Sequence, residues 1–137
     1  MSQRQSFIRI GSQPGDKQDL APWPWNTNDV VLTQGMTPLG SKSYEGRGIT
    51  LGTWTCDKGS VEINGHAVDE ACFVLRGSVT LTNYDGQSET FSSGEAFLLP
   101  RGFRGTWSQS DNFAKLFVAI SPDASARHES SITASGG

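Results

Sequence analysis

The sequence predicts a single all-β domain. Three observations carry that expectation: short runs of alternating polarity, glycines that punctuate them at regular intervals, and no sustained helical periodicity. Gly77, Gly86, Gly94 and Gly102 recur every eight or nine residues, which is hairpin spacing, and Asp85-Gly86 is a turn dipeptide with glycine where a positive φ is needed. No window holds three turns of apolar residues at helical spacing, and β-branched residues and glycines are frequent wherever a helix would lie. Many short strands at this interval make a sandwich or a barrel.

Strands are expected over residues 49–55, 70–76, 79–84, 88–91, 96–99, 105–108 and 113–120, each with alternating or continuous Val, Ile, Leu, Phe and Trp. Pro100-Arg101-Gly102 reads as a turn, with proline fixing φ and glycine relaxing it. Residues 49–121 are therefore expected to form the barrel. Residues 1–48 are broken by Gln, Gly, Pro and Asn and read as an extension that adds a strand or covers an edge. Within it, Trp23-Pro24-Trp25 is too apolar to leave in water and is expected to pack on the barrel or on a second subunit. Residues 122–137, rich in Ser, Ala and Gly, read as a flexible tail.

A chain of 137 residues has room for one domain, and 35% apolar with 18% charged residues is an ordinary balance for a soluble globular protein. No apolar run is long enough to span a bilayer and residues 1–10 lack the apolar core of a signal peptide. A cytoplasmic protein with no membrane partner is the expectation. The net charge of -3 and the scatter of eleven basic residues likewise argue against nucleic acid. Cys56 and Cys72 lack the C-x-x-C spacing of a redox or zinc motif and sit in apolar surroundings, so two buried thiols are expected.

Five runs then belong together: Gly52-Thr53-Trp54-Thr55-Cys56, Asp69-Glu70-Ala71-Cys72 on to Gly77, Asp85-Gly86, Gly94 through Pro100-Arg101-Gly102 to Gly105 and Trp107, and Lys115-Leu116-Phe117-Val118. In order and spacing they resemble the cupin superfamily, and more narrowly its small single-domain branch related to the cupin domain of ureidoglycine aminohydrolase. The resemblance implies a double-stranded β-helix, a jelly-roll-like barrel that is often a dimer, with two motifs aiming side chains into the barrel mouth. A homodimer is accordingly expected. It also implies a metal site, and here the chain departs from the pattern. Counting back from Glu70 and Gly77, the two histidine positions of the first motif fall on Asn64 and His66. In the second motif Gly94, Pro100 and Gly102 match, but Gly105 stands at the histidine position and Gln109 at the final asparagine.

His66 and Glu70 are the surviving ligand types, a start to a divalent metal site that a strand would keep on one face. A protein metal site wants at least three ligands, so the metal is disfavoured. The Gly65-His66-Ala67 setting also suits an exposed loop histidine. Glu70, pointing into an apolar barrel, has its neutral form favoured unless a cation meets it. It is either a general base, a polar anchor for a ligand, or one half of a structural ion pair. Arg101 and Arg104 are placed near the mouth as partners for a ligand carboxylate. Trp107 and Trp54 are expected as pocket walls, with a vacancy beside Trp107 where Gly105 replaces histidine. Cys72 shares the face of Glu70 and is expected inside the barrel as a small hydrophobe. These residues suggest an enzyme acting on a small polar ureido, amino or carboxylate metabolite, or a non-catalytic protein that binds one. The ureido and amino part of that class comes from the resemblance alone.

Overall fold

The computed structural model describes residues 7–10 and 20–122. The expected tail therefore lies almost wholly outside the described residues, as do parts of the N-terminal extension. Among the described residues eleven strands follow one another: β1 (Ala21–Pro22), β2 (Val30–Val31), β3 (Leu39–Gly46), β4 (Ile49–Cys56), β5 (Gly59–Asn64), β6 (Asp69–Arg76), β7 (Ser78–Asn83), β8 (Ser88–Ser92), β9 (Ala96–Leu99), β10 (Arg104–Gln109) and β11 (Phe113–Ile120). They form two antiparallel sheets, six-stranded in the order β1-β3-β4-β11-β6-β9 and five-stranded in the order β2-β5-β10-β7-β8. No helix among the described residues is long and apolar enough to cross a membrane.

Period-two alternation decides which side chains lie between the sheets. On β4 it sends Trp54 and Cys56 inward, on β6 Glu70, Cys72 and Val74, and on β10 Trp107 and Gln109. Trp54 and Trp107 meet across the two sheets edge to face, with ring centroids 6.1 Å apart, and Phe113 stands at a similar distance from both. Aromatic pairs in this geometry add about 0.5–1.5 kcal/mol each beyond the area they bury. Both cysteines are free and buried.

The turns follow their sequence chemistry. Gly86 has φ 94° and Gly102 φ 90°, and the Phe103 amide donates to the Pro100 carbonyl at 3.1 Å, closing the Pro100-Arg101-Gly102 turn. Two long strands, β3 and β5, lie outside the expected set. β3 lies within residues 1–48 yet pairs along nearly its whole length with β4, from Leu39 opposite Thr55 to Gly46 opposite Ile49. β5 has Val61 and Ile63 facing inward between polar neighbours, and it pairs with β10 from Asn64 opposite Arg104 to Gly59 opposite Gln109. β1 and β2 are two-residue strands that attach the N-terminal segment to one edge of each sheet.

Candidate functional site

A cavity of about 300 Å³ opens between the sheets, with Trp23, Trp25, Trp54, Trp107 and Phe117 among its walls and His66, Glu70 and Lys115 in its lining. The polar group is built by three elements. Glu70 points inward from β6 and is 7% exposed. Lys115 points inward from β11, between Phe113 and Phe117, just past an irregularity in the β11–β6 register at Ala114/Lys115. The lysine stem runs past Cys72, with Nζ 3.8 Å from Sγ, and Nζ donates to Glu70 Oε2 at 2.6 Å. Cys72 Sγ donates to the same oxygen at 3.3 Å. His66 closes the chain: its Nε2 lies 2.8 Å from Glu70 Oε1, and its side chain is 10% exposed.

His66 owes its position to the loop between β5 and β6. The Gly65 and His66 amides both donate to the Phe103 carbonyl at 3.0 Å, and the Gly102 amide donates back to the His66 carbonyl at 2.8 Å. The loop is thus fastened to the turn that Pro100 and Gly102 create. His66 is on a loop as expected, but it is not an exposed histidine; it belongs to a buried network.

The electrostatics follow from this packing. Burial pushes the Glu70 carboxyl up, but the Lys115 ammonium and the His66 hydrogen bond outweigh it and hold the group far below the usual carboxylate range. Burial disfavours the charged Lys115, yet the Cys72 sulfur and the Glu70 carboxylate beside it raise its pKa overall. Burial also raises the Cys72 thiol well above its ordinary value, so at neutral pH the carboxylate is the charge that holds the ammonium. Lys115 is stacked over aromatic faces as well, with Nζ 4.6 Å from the Trp107 ring centroid and 5.1 Å from that of Trp54. With an ionised carboxylate as partner, Nε2 of His66 carries the shared hydrogen. Nδ1 is shielded and has no hydrogen-bond partner among the described residues.

The wall opposite comes from the N-terminal segment. Trp23 packs edge-on against Phe117 at 5.5 Å and Trp25 against Trp54 at 5.8 Å, so the segment packs on the sheets of its own chain. Gly40 makes room for this, since a Cβ there would fall within 2.8 Å of the Trp23 ring atom Cδ2. The Trp23 amide donates to the Pro38 carbonyl and Asn64 Nδ2 donates to the Asn28 carbonyl at 3.1 Å. Asp29, on the turn these bonds hold, also lines the cavity. Burial raises its carboxyl, against lowering by the Asn26 amide and by His66.

The expected site residues are therefore only partly together. Glu70, His66, Trp54 and Trp107 line the cavity, and Cys72 touches Glu70 behind it. The arginines stand outside this lining, for a simple reason. Arg104 neighbours inward-facing Gly105 on β10, so alternation sends it outward, where its guanidinium lies 5.1 Å over the Tyr84 ring. It lines a separate surface depression with Glu62, Asn64 and Thr82. Arg101 is exposed, and its backbone amide donates to Asp69 Oδ1 at 2.8 Å. The expected vacancy at Gly105 is also corrected. A Cβ there would run into the Thr82 carbonyl and come within 2.8 Å of Phe103 Cζ, so neighbours already fill that volume.

The same residues do not fit a divalent metal. Asn64 lies on the outward face of β5 with its amide nitrogen on the Asn28 carbonyl, Gly105 offers no side-chain donor, and His66 and Glu70 bond to each other rather than converge on a common point. No group of three His, Cys, Asp or Glu side chains among the described residues is arranged to hold an ion. Lys115 supplies covalently the positive charge that a metal would bring to Glu70. It and the walls Trp23, Trp25 and Asp29 were missed at the level of sequence. One signal for Lys115 was present, a lone lysine in register with Phe113 and Phe117 on an apolar strand.

Residues 44–117, more than half of the chain, match the EutQ-like cupin domain family. This chain is a cupin of that family. No curated protein matches it. Among solved structures, a DUF861-family protein of unknown function from Pseudomonas syringae pv. tomato superposes with a TM-score of 0.67 at 16% identity, over 74% of this cupin and 44% of that chain. The cupin thus spans less than half the length of that relative. The EutQ protein of Clostridium difficile gives 0.57 at 19% identity over 64% and 71% of the two chains. A putative ethanolamine utilization protein from Salmonella typhimurium gives 0.55 at 16% over 62% and 70%. At such identities the likeness is one of fold.

Proposed function

We propose that this cupin binds a small polar metabolite of the ureido, amino or carboxylate class in the tryptophan-walled cavity, without a metal. The observation that carries the reading is the His66–Glu70–Lys115 chain in the lining of a 300 Å³ aromatic pocket. Glu70 acts there as the polar anchor rather than as a proton acceptor, because both of its oxygens are engaged. An imidazole whose Nε2 is pinned by a carboxylate is also the arrangement of a general acid or base, which favours catalysis through His66 as the second reading.

Tryptophan emission and thermal shift over amino acids, ureides and small carboxylates test the proposal. Saturable binding of one class, weakened in Glu70→Gln, is expected; no response to any class would sink it. The residues shared with the ureidoglycine aminohydrolase cupin are the reason for including ureides. Ammonia released from a ureide would mark an enzyme of that kind, and saturable binding without product would mark a binding or accessory cupin. A cytoplasmic homodimer remains the proposed working form. Exposed Phe73, Leu75 and Leu98 on neighbouring strands β6 and β9 support the dimer. A monomer mass by sedimentation at micromolar concentration would overturn it.

A further inference from the structure

Trp23, Trp25, Asn26 and Asp29 line the cavity from the stretch between β1 and β2, which belongs to neither sheet. It is fastened at its two ends. Ala21 and Pro22 pair with Gly40 and Leu39, and Val30 and Val31 pair with Glu62 and Val61, followed by the Leu32 amide on the Ser60 carbonyl at 3.0 Å. Neither ladder runs on into the wall, for local reasons. Pro22 and Pro24 have no N–H to donate, and residues 26–29 are taken up by a turn, with the Asp29 amide on the Asn26 carbonyl at 3.0 Å. Among the described residues two hydrogen bonds join residues 23–29 to the rest of the chain. The Trp23 amide donates to the Pro38 carbonyl at 3.0 Å, and Asn64 Nδ2 donates to the Asn28 carbonyl at 3.1 Å. Pro24, Asn26, Thr27, Asn28, Val30 and Val31 are all exposed. Few buried contacts and few backbone bonds mark a segment that opens locally, at less cost than unfolding the whole domain.

The bond from Asn64 has a particular place. Continuing the register in which Val30 stands opposite Glu62 and Val31 opposite Val61 brings Asn28 opposite Asn64. There the Asn64 side chain donates where the main-chain ladder has ended. We infer that residues 23–31 open as one strap over the cavity, with Asn64 as its latch. Detachment takes Trp23, Trp25 and Asp29 out of the lining together, so entry and release are set by the strap while Glu70 and Lys115, on β6 and β11, stay paired. In its role the strap rests on the reading of the cavity as the ligand site; its motion is read without any ligand.

Amide hydrogen exchange of the full chain, read residue by residue, tests this. In the wild type the hydrogen-bonded Trp23 amide is expected to exchange faster than the amides of β6 and β11. Asn64→Ala removes the latch. The Trp23 amide, at the other end of the strap, is then expected to exchange about two- to ten-fold faster, the worth of one neutral hydrogen bond, with β6 and β11 unchanged. Asn64→Asp, which keeps the shape and loses the donor, is expected to do the same. Asn28→Ala leaves the accepting backbone carbonyl in place and is expected to exchange as the wild type does. An unchanged Trp23 amide in both Asn64 variants overturns the inference, as does acceleration confined to β2, which would be a frayed end. Equal acceleration in Asn28→Ala overturns the latch. A wild-type Trp23 amide as slow as those of β11 also overturns the inference, because the segment would then open only with the whole fold. Strap opening joined to silence from the metabolite panel would sink the ligand reading and with it the role of the strap, whereas saturable binding without strap opening would sink the strap alone.

Discussion

Replacing Lys115 with methionine keeps most of the stem that packs on Trp54 and Trp107 and removes only the ammonium. Glu70 is then a buried carboxylate without its cation, and its side chain is 10% exposed, so water screens little of the loss. Breaking one partner out of a buried pair costs about 3–5 kcal/mol. His66 still bonds Oε1, which places Lys115→Met near the lower figure. Losing the ammonium over two indole faces adds about 0.5–2 kcal/mol. A domain with about 5–15 kcal/mol in total would lose a large part of its stability. In urea, with a slope of about 2 kcal/mol per molar, the midpoint should fall by about 1.5 M or more.

The pH dependence gives the same experiment a second axis. In the wild type the folded-state pKa of Glu70 lies below the ordinary 4.5. Its contribution is complete above that value and is lost as pH falls through the folded-state pKa. In Lys115→Met the burial that the ammonium had outweighed remains, and the carboxyl moves upward. The deficit of the variant should therefore be largest near neutrality and shrink as the medium becomes acidic. A loss under about 1 kcal/mol, the worth of a surface ion pair, would refute the reasoning. So would a deficit that stays constant on acidification.

Gly105→His should not restore a metal site, because the new side chain meets the Thr82 backbone and Phe103; lower stability by calorimetry and no metal by elemental analysis are expected. Gly40→Ala displaces the Trp23 ring, at about 1–3 kcal/mol of overpacking, and should shift tryptophan emission and weaken binding in the cavity. Cys56 is pushed up to about 12 and Cys72 higher still, both by burial first, so neither thiol should react with a disulfide reagent at pH 8 until the chain is unfolded in urea.

Local chemistry was legible in the sequence, and contacts between distant residues were not. The turns at Asp85-Gly86 and Pro100-Arg101-Gly102 need particular backbone angles, and the residues that supply them are visible at once. Inward Glu70 and Trp107 follow from period-two counting in apolar strands. β3 was harder, because Leu39–Gly46 has little apolar alternation and is held by its ladder to β4. Glu70 and Lys115 are 45 residues apart, and no local pattern says that a lysine on one strand reaches along the sheet to an acid on another. The sequence could say that Glu70 needed a cation, but not which one. The arginines were candidates by nearness along the chain, and backbone alternation turned Arg104 away.

The tryptophan-bearing N-terminal segment has a consequence for how such a protein can diversify. Trp23, Trp25 and Asp29 all precede residue 44, where the family match begins, whereas His66, Glu70 and Lys115 all fall within it. On the proposed reading of the cavity as a ligand site, part of its wall lies outside the matched segment and its buried ion pair lies within it. On that reading, exchange of residues 20–32 is expected to change the ligand preference while Glu70 and Lys115, on β6 and β11, stay paired. Evolution, or an engineer, could re-key this lock by replacing one short strip of chain.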